Sequence, residues 1–305
     1  MIYTVSMEQA ARNLVLAAGS LGDSLMTLPA LHILQSRSSL TVAGTFPYQA
    51  LGKDLLGVDQ VVALEPLLQN LLTAGEMDPE TGNFLSDFRE VFLFFKDRDE
   101  AVIKRFSAMK NLQIHNPVKP FAEFLGEARW VGEYWLETVL KSSLPGDSPL
   151  RQPRLCVGPE LQARGLEILE SLGLPSPLII HPGSGSPKKN APLSFFRSAA
   201  ERTVTESQKP VLVVWGEAEE ENLDSIRQAF AGMKNVQVLP RQLPLTDLAA
   251  VFSKSLAYLG NDSGVTQLAA ACGLKTFAVF HSTDSRIWGP QANAFIYHWI
   301  DENLR

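Results

Sequence analysis

Short apolar runs alternate with helix-length amphipathic segments along the whole 305-residue chain, and no other feature constrains the fold as strongly. In the first half the runs are Asn13–Ala18, Leu40–Phe46, Gln60–Leu64, Val91–Phe95 and Leu112–His115. Helical patterns between and after them include Ser24–Gln35, Asp99–Lys110 and Trp130–Ser143. In the second half Pro177–His181, Val211–Trp215, Val236–Leu239, Leu256–Leu259 and Thr276–Phe280 read as strands. They are separated by helical patterns at Leu193–Ser207, Glu219–Ala231, Leu245–Ser255 and Val265–Cys272. Such alternation predicts parallel sheets joined by crossover helices. The runs are rich in Val, Ile, Leu and Phe without polar alternation, which predicts sheets covered on both faces. The expected class is α/β, with doubly wound, Rossmann-like parallel-sheet domains.

A boundary falls near Leu144–Arg154, where Pro, Gly, Ser and Asp cluster and periodicity is lost. The expected domains are residues 1–150 and 151–290, with 291–305 returning to the N-terminal domain. In doubly wound sheets ligands sit beyond the carboxyl ends of the strands, so functional residues belong just after them. Charge narrows the partners. Residues 1–150 carry 18 acidic and 12 basic side chains and residues 151–305 carry 15 of each. Neither half is basic, which argues against a nucleic-acid binder. Two cysteines, Cys156 and Cys272, make no disulfide framework and fit a reducing compartment. No apolar run reaches the ~18 residues of a membrane span. Met1 to Arg12 lacks a signal-peptide pattern. The chain reads as a soluble cytoplasmic protein. Glu76–Glu90, with five acidic residues, reads as a solvated surface stretch.

Three strand-end loops carry most of the chemistry. The first, Gly19-Ser20-Leu21-Gly22-Asp23, follows the first strand and opens a helix. A glycine turn lets a ligand approach the backbone, and a helix start offers free N–H groups. GxGxxG is absent, and Ala43-Gly44-Thr45-Phe46 stands where a ribose-binding carboxylate would end the second strand. Both facts argue against a nicotinamide or flavin cofactor. Asp23 has two readings, helix N-cap and catalytic group. The second loop, Gly183-Ser184-Gly185-Ser186 with Lys188-Lys189, precedes a helix expected near Pro192 and forms an anion cradle. It is not a Walker A loop, because Asn190 follows the lysines where Ser or Thr is required. The third, Gly260-Asn261-Asp262-Ser263-Gly264, delivers small polar residues to a helix start that favours phosphate. Asp262 is either the N-cap of that helix or a ligand for sugar hydroxyls.

Other candidates have competing structural roles. Asp97-Arg98-Asp99 resembles a metal-binding DxD, but Lys96 and Arg98 interleave with the carboxylates and a helix starts there, so capping is the better reading. The five histidines show no metal-binding spacing. His181 and His281 follow strands, where each either lines a cleft or serves as a hydrogen-bonded structural group. No Ser/His/Asp triad is visible, and both cysteines lie in apolar strand or helix contexts rather than nucleophilic ones. No cofactor and no metal is expected.

Taken together and in order, these loops resemble the ADP-heptose:lipopolysaccharide heptosyltransferases, glycosyltransferase family nine. Gly19–Leu31 resembles the family's opening motif, His181–Pro192 its HPGSGS segment, and Gly260–Gly273 followed by Phe280–Pro290 its C-terminal signature. The resemblance implies a GT-B fold, with an N-terminal acceptor domain, a C-terminal nucleotide-sugar domain and a cleft between them. It implies inverting, metal-independent transfer of heptose from ADP-heptose to a lipopolysaccharide-core or other glycan acceptor. Asp23 is then the general base, and Lys189, Ser184 and Ser186 stabilise the leaving diphosphate beside Ser263 and Gly264. Asp262 holds the sugar, Glu220 (with Glu221 an equally available neighbour) lies near the ribose, and Arg241–Leu243 border the adenine. Gly22, His181, Gln267 and His281 are further cleft candidates.

The sequence departs from the family's pattern at Gln267, where a histidine is usual, at Ala191, where Trp is usual, and at His281 and Ser285. Gln267 forms hydrogen bonds but cannot carry a proton. Two other functions fit the same scaffold: a non-catalytic sugar-nucleotide binder and a nucleotide-sugar epimerase. Lys96–Lys119 has six basic residues against three acidic ones and either attracts an acidic acceptor or anionic membrane or forms a solvated face.

Overall fold

The computed structural model describes residues 12–72, 77–96, 100–107, 109, 112–141, 152–291 and 293–299. Asp97–Asp99, most of Met1–Arg12, Lys110 and all but the last three residues of the Leu144–Arg154 boundary lie outside the described residues.

The apolar runs form two parallel sheets. The first contains β1 (Arg12–Ala17), β2 (Ser39–Gly44), β3 (Gln60–Ala63), β4 (Glu90–Phe94) and β5 (Gln113–His115), in the order β3-β2-β1-β4-β5. The second contains β6 (Leu178–His181), β7 (Val211–Val213), β8 (Val236–Val238), β9 (Ala257–Asn261), β10 (Thr276–Phe280) and β11 (Ala294–His298), in the order β11-β10-β9-β6-β7-β8. Every strand pair is parallel. Leu14 to Ala17 and Ile179 to Ile180 have no exposed surface, as expected for strands covered on both faces. One buried cluster runs from Tyr48, Leu51 and Trp135 of the first half to Leu248, Phe252 and Leu268 of the second. Between the halves, Leu155 N–H donates to Ala271 O and Cys156 N–H to Leu55 O, so the connecting segment is stitched to both.

Some expectations change. Residues 294–298 do not return to the first half. Their β-prone sequence pairs in register with Thr276–Phe280 and extends the second sheet as an edge. The pattern expected as one helix over Ser24–Gln35 is two, Leu21–Met26 and Leu28–Arg37. Pro29 has no N–H to continue the first helix and is tolerated near the start of the second. The acidic stretch expected as plain surface contains a helix, Pro79–Ser86, that buries Thr81 and Leu85.

Candidate active site

Strand order dictates which loops meet. In the first sheet β1 has β2 on one side and β4 on the other, so the chain leaves β1 and β4 in opposite directions. A crevice opens at such a reversal, beyond the carboxyl ends of the two strands. β6 and β9 form the equivalent point in the second sheet. The loops that follow β1, β4, β6 and β9 therefore face these switch points.

After β1, Gly19 permits a close approach: a Cβ there would lie 2.6 Å from Asp23 Cβ. Ser20, not Asp23, is the N-cap of the helix Leu21–Met26. Asp23 completes a capping box, in which Ser20 N–H and O–H donate to its Oδ2 at 3.1 and 2.9 Å. Its other oxygen, Oδ1, lies 2.6 Å from Nζ of Lys96, just past β4. Capping thus occupies one carboxylate oxygen and leaves the other facing a cation.

After β6, Gly183 is obligatory, since a Cβ would fall 2.0 Å from Glu219 Oε1. The buried Ser184 hydroxyl folds the loop internally, 2.8 Å from Ser186 O and 2.7 Å from Asn190 Oδ1. Fully buried Asn261 ties both ends of the loop, donating to Pro182 O at 2.7 Å and accepting from Ala191 N–H at 2.9 Å. Lys189, in a short 3-10 turn, donates to Asp262 Oδ2 at 2.8 Å, and Thr283 donates to the same oxygen at 2.7 Å. Asp262 is not the N-cap of Gly264–Ala271; Ser263 is, accepting from Thr266 N–H at 3.2 Å.

His181 is buried, with Nε2 3.1 Å from Glu219 Oε2 and Nδ1 3.5 Å from Ser263 Oγ. Burial works to raise the pKa of Glu219, but His181 and the Gly216 N–H (2.8 Å) outweigh it and hold the carboxyl below its usual range. The acidic residue turned inward from this run is Glu219. Glu220 is exposed and accepts from Gln242 at 2.8 Å.

A cavity of about 900 Å³ lies between the halves. Ser20, Leu21, Gly22 and Phe46 line it from the first half. His181, Ser184, Lys189, Glu219, Asp262, Ser263 and Gly264 line it from the second. Its apolar lining includes Trp215, Leu243, Leu245 and Leu248, with Trp215 fixed by its indole N–H to Leu239 O at 2.8 Å. A lining that combines charged and polar groups with apolar side chains suits a ligand with a charged centre and a flat ring. Asp23, Ser186, Glu220, Arg241, Gln267 and His281 are not among the lining residues. Gln267 instead donates to Trp288 O at 2.6 Å, and exposed His281 donates from Nδ1 to Trp299 O at 3.1 Å. Among the described residues, no group of three or more His, Cys, Asp or Glu is gathered to hold a metal ion. Cys156 is exposed in a connecting segment rather than set in a strand or helix, and burial pushes the Cys272 thiol up to about 12.

The family model described as glycosyltransferase family 9 (heptosyltransferase) matches residues 149–303, just over half of the chain. The chain belongs to that family. A curated family relative, lipopolysaccharide heptosyltransferase 1 of Pseudomonas aeruginosa, is 30% identical over 125 residues. That match takes in 41% of this chain and about a third (34%) of the relative. The E. coli ADP-heptose lipopolysaccharide heptosyltransferase II structure superposes with a TM-score of 0.75 at 17% identity, covering 95% of this chain and 91% of that one. E. coli heptosyltransferase WaaC with ADP gives 0.66 at 17%, covering 94% and 93%. A glycosyl transferase family 9 structure from Veillonella parvula gives 0.72 at 16%, covering 95% and 86%. The family's GT-B architecture, two parallel-sheet α/β domains about a crevice, is the one seen here.

Proposed function

We propose that this family 9 protein is an inverting glycosyltransferase that moves a heptose or related sugar from ADP-heptose to a lipopolysaccharide-core or other glycan acceptor. The carrying observation is the cavity that two switch points create, with a carboxylate loop on one side and a lysine and helix N-terminus on the other. An acceptor oxygen attacks the anomeric carbon as the bond from that carbon to the diphosphate breaks. The acceptor proton passes to Asp23, and the bonding electrons leave with ADP. Lys189 and the N–H groups at Gly264 offset the diphosphate charge. For this, Lys189 exchanges its Asp262 partner for phosphate oxygens, and the freed Asp262 accepts from sugar hydroxyls.

Gln242 and Leu243 border the base, with Trp215 alongside. Residues 1–150 serve the acceptor and residues 151–290 the donor. No described helix is long and apolar enough to cross a membrane. A lipid-linked acceptor is met at the cytoplasmic face of the inner membrane, approached through basic residues such as exposed Lys104.

The test pairs nucleotide titrations with a transfer assay. ADP is expected to bind in preference to UDP and GDP. Asp23→Asn is expected to lower transfer by about 10²–10⁴-fold, the usual worth of a general base, with ADP affinity unchanged. Full activity in that variant rejects the base, and saturable ADP binding without turnover in the wild type marks a binding protein instead.

A further inference from the structure

We propose that Lys96, held between the two halves of the molecule, is the positioning residue for Asp23. The inference rests on the base role given to Asp23. A carboxylate offers about four acceptor sites on its two oxygens. Among the described residues three are taken: two on Oδ2 by Ser20, and one on Oδ1 by Lys96. The site left for an acceptor hydroxyl is on Oδ1, beside the Lys96 ammonium. Lys96 therefore decides where that hydroxyl docks.

Strand order explains why this lysine is available. Asp23 follows β1 and Lys96 follows β4, the two strands that flank the crevice. The ammonium also lies 5.5 Å from two ring centres, Phe121 of the first half and Trp288 of the second. Cation–π attraction to both rings holds it in the crevice. Trp288 ends the short helix Ser285–Trp288, and its carbonyl is held by Gln267 on the helix Gly264–Ala271. A continuous set of contacts thus runs from the donor-side helix through Gln267, Trp288 and Lys96 to Asp23. Lys96 also borders a separate cavity of about 180 Å³, with Lys119, Phe121 and Tyr134.

Four measurements decide the matter. With ADP-heptose and a heptose-deficient lipopolysaccharide core, Lys96→Met is expected to lower kcat about 100-fold, the scale of a misplaced catalytic group. Donor KM and ADP affinity are expected to stay within about twofold, whereas a merely structural role lowers affinity and melting temperature together. Lys96→Arg keeps the charge and is expected to recover kcat to within about tenfold of wild type; it is read alone if the Met variant is insoluble. Adding Lys96→Met to Asp23→Asn is expected to cost nothing further, because a residue acting through the base has no effect once the base is gone. Unchanged kcat in Lys96→Met, or full additivity with Asp23→Asn, overturns the proposal. Wild-type rates in Asp23→Asn overturn instead the base assignment, and this inference with it. A readout free of turnover is acetylation of Lys96 by an amine-reactive reagent. It is expected to rise several-fold in Asp23→Asn as the ion pair is lost, and an unchanged rate counts against the pairing.

Discussion

Glu219 shows how one carboxylate can be structural at the edge of a binding cavity. It is buried, receives the Gly216 N–H, contacts His181 and excludes any side chain at position 183. Removing its charge replaces charge-assisted bonds by weaker neutral ones, so Glu219→Gln is expected to lose about 1–3 kcal/mol near neutral pH. The pH dependence has a defined sign. The folded pKa lies below the ordinary 4.5, so the carboxylate's contribution is present above that value and is lost as pH falls through the folded pKa. Melting curves are therefore expected to show the gap between wild type and Glu219→Gln narrowing as pH drops below 4.5. A gap that stays constant in acid would assign the stabilisation to packing rather than charge. Of Glu217, Glu219, Glu220 and Glu221, the family resemblance points to Glu220 or Glu221, whereas the buried one is Glu219. The 3-10 turn Glu217–Asn222 decides, because its three-residue repeat turns one of the run inward.

Among the elements, the β6 loop depends on a residue from β9. Asn261 holds Pro182 and Ala191, the two ends of the loop after β6, with bonds shielded from water. Asn261→Ala is expected to lower stability by about 1–3 kcal/mol per buried bond lost and to weaken ADP binding. Thermal melts and calorimetric titration measure the two effects, and an unaltered ADP affinity would show that the loop keeps its shape without the tie. Element type was legible because hydrophobic periodicity is local: all ten strands expected from apolar runs appear, with ends displaced by a few residues. What the pattern missed is also local. The break at Thr27 comes from proline chemistry within a continuous apolar face, and the short run Ala294–His298 is recognisable as a strand only beside β10.

For the molecule as a whole, a glycine lets the two halves meet tightly at the crevice. A Cβ on Gly264 would lie 2.9 Å from Leu21 Cβ and 3.0 Å from Gly22 N, so the helices Leu21–Met26 and Gly264–Ala271 meet without room for a side chain. Gly264→Ala is expected to push the halves apart, at a cost of about 1–3 kcal/mol for overpacking. Transfer is expected to fall more than ADP affinity, because the proposed base and the proposed diphosphate site lie on opposite sides of that contact. Equal losses in both would place the damage in the donor half alone.

The sequence by itself determined the α/β class, the order of strands and helices along the chain, and the three glycine-bearing loops that make it recognisable as a family member. These follow from side-chain periodicity and turn chemistry, which act over a few residues and leave a local signature. Only the tertiary structure decided which charges face each other. Lys189 pairs with Asp262 across 73 positions, and Lys96 reaches Asp23 from a different strand. Such pairs depend on strand order within a sheet and on how two sheets meet, and the free energy that sets both is summed over the whole buried core rather than written in any one segment.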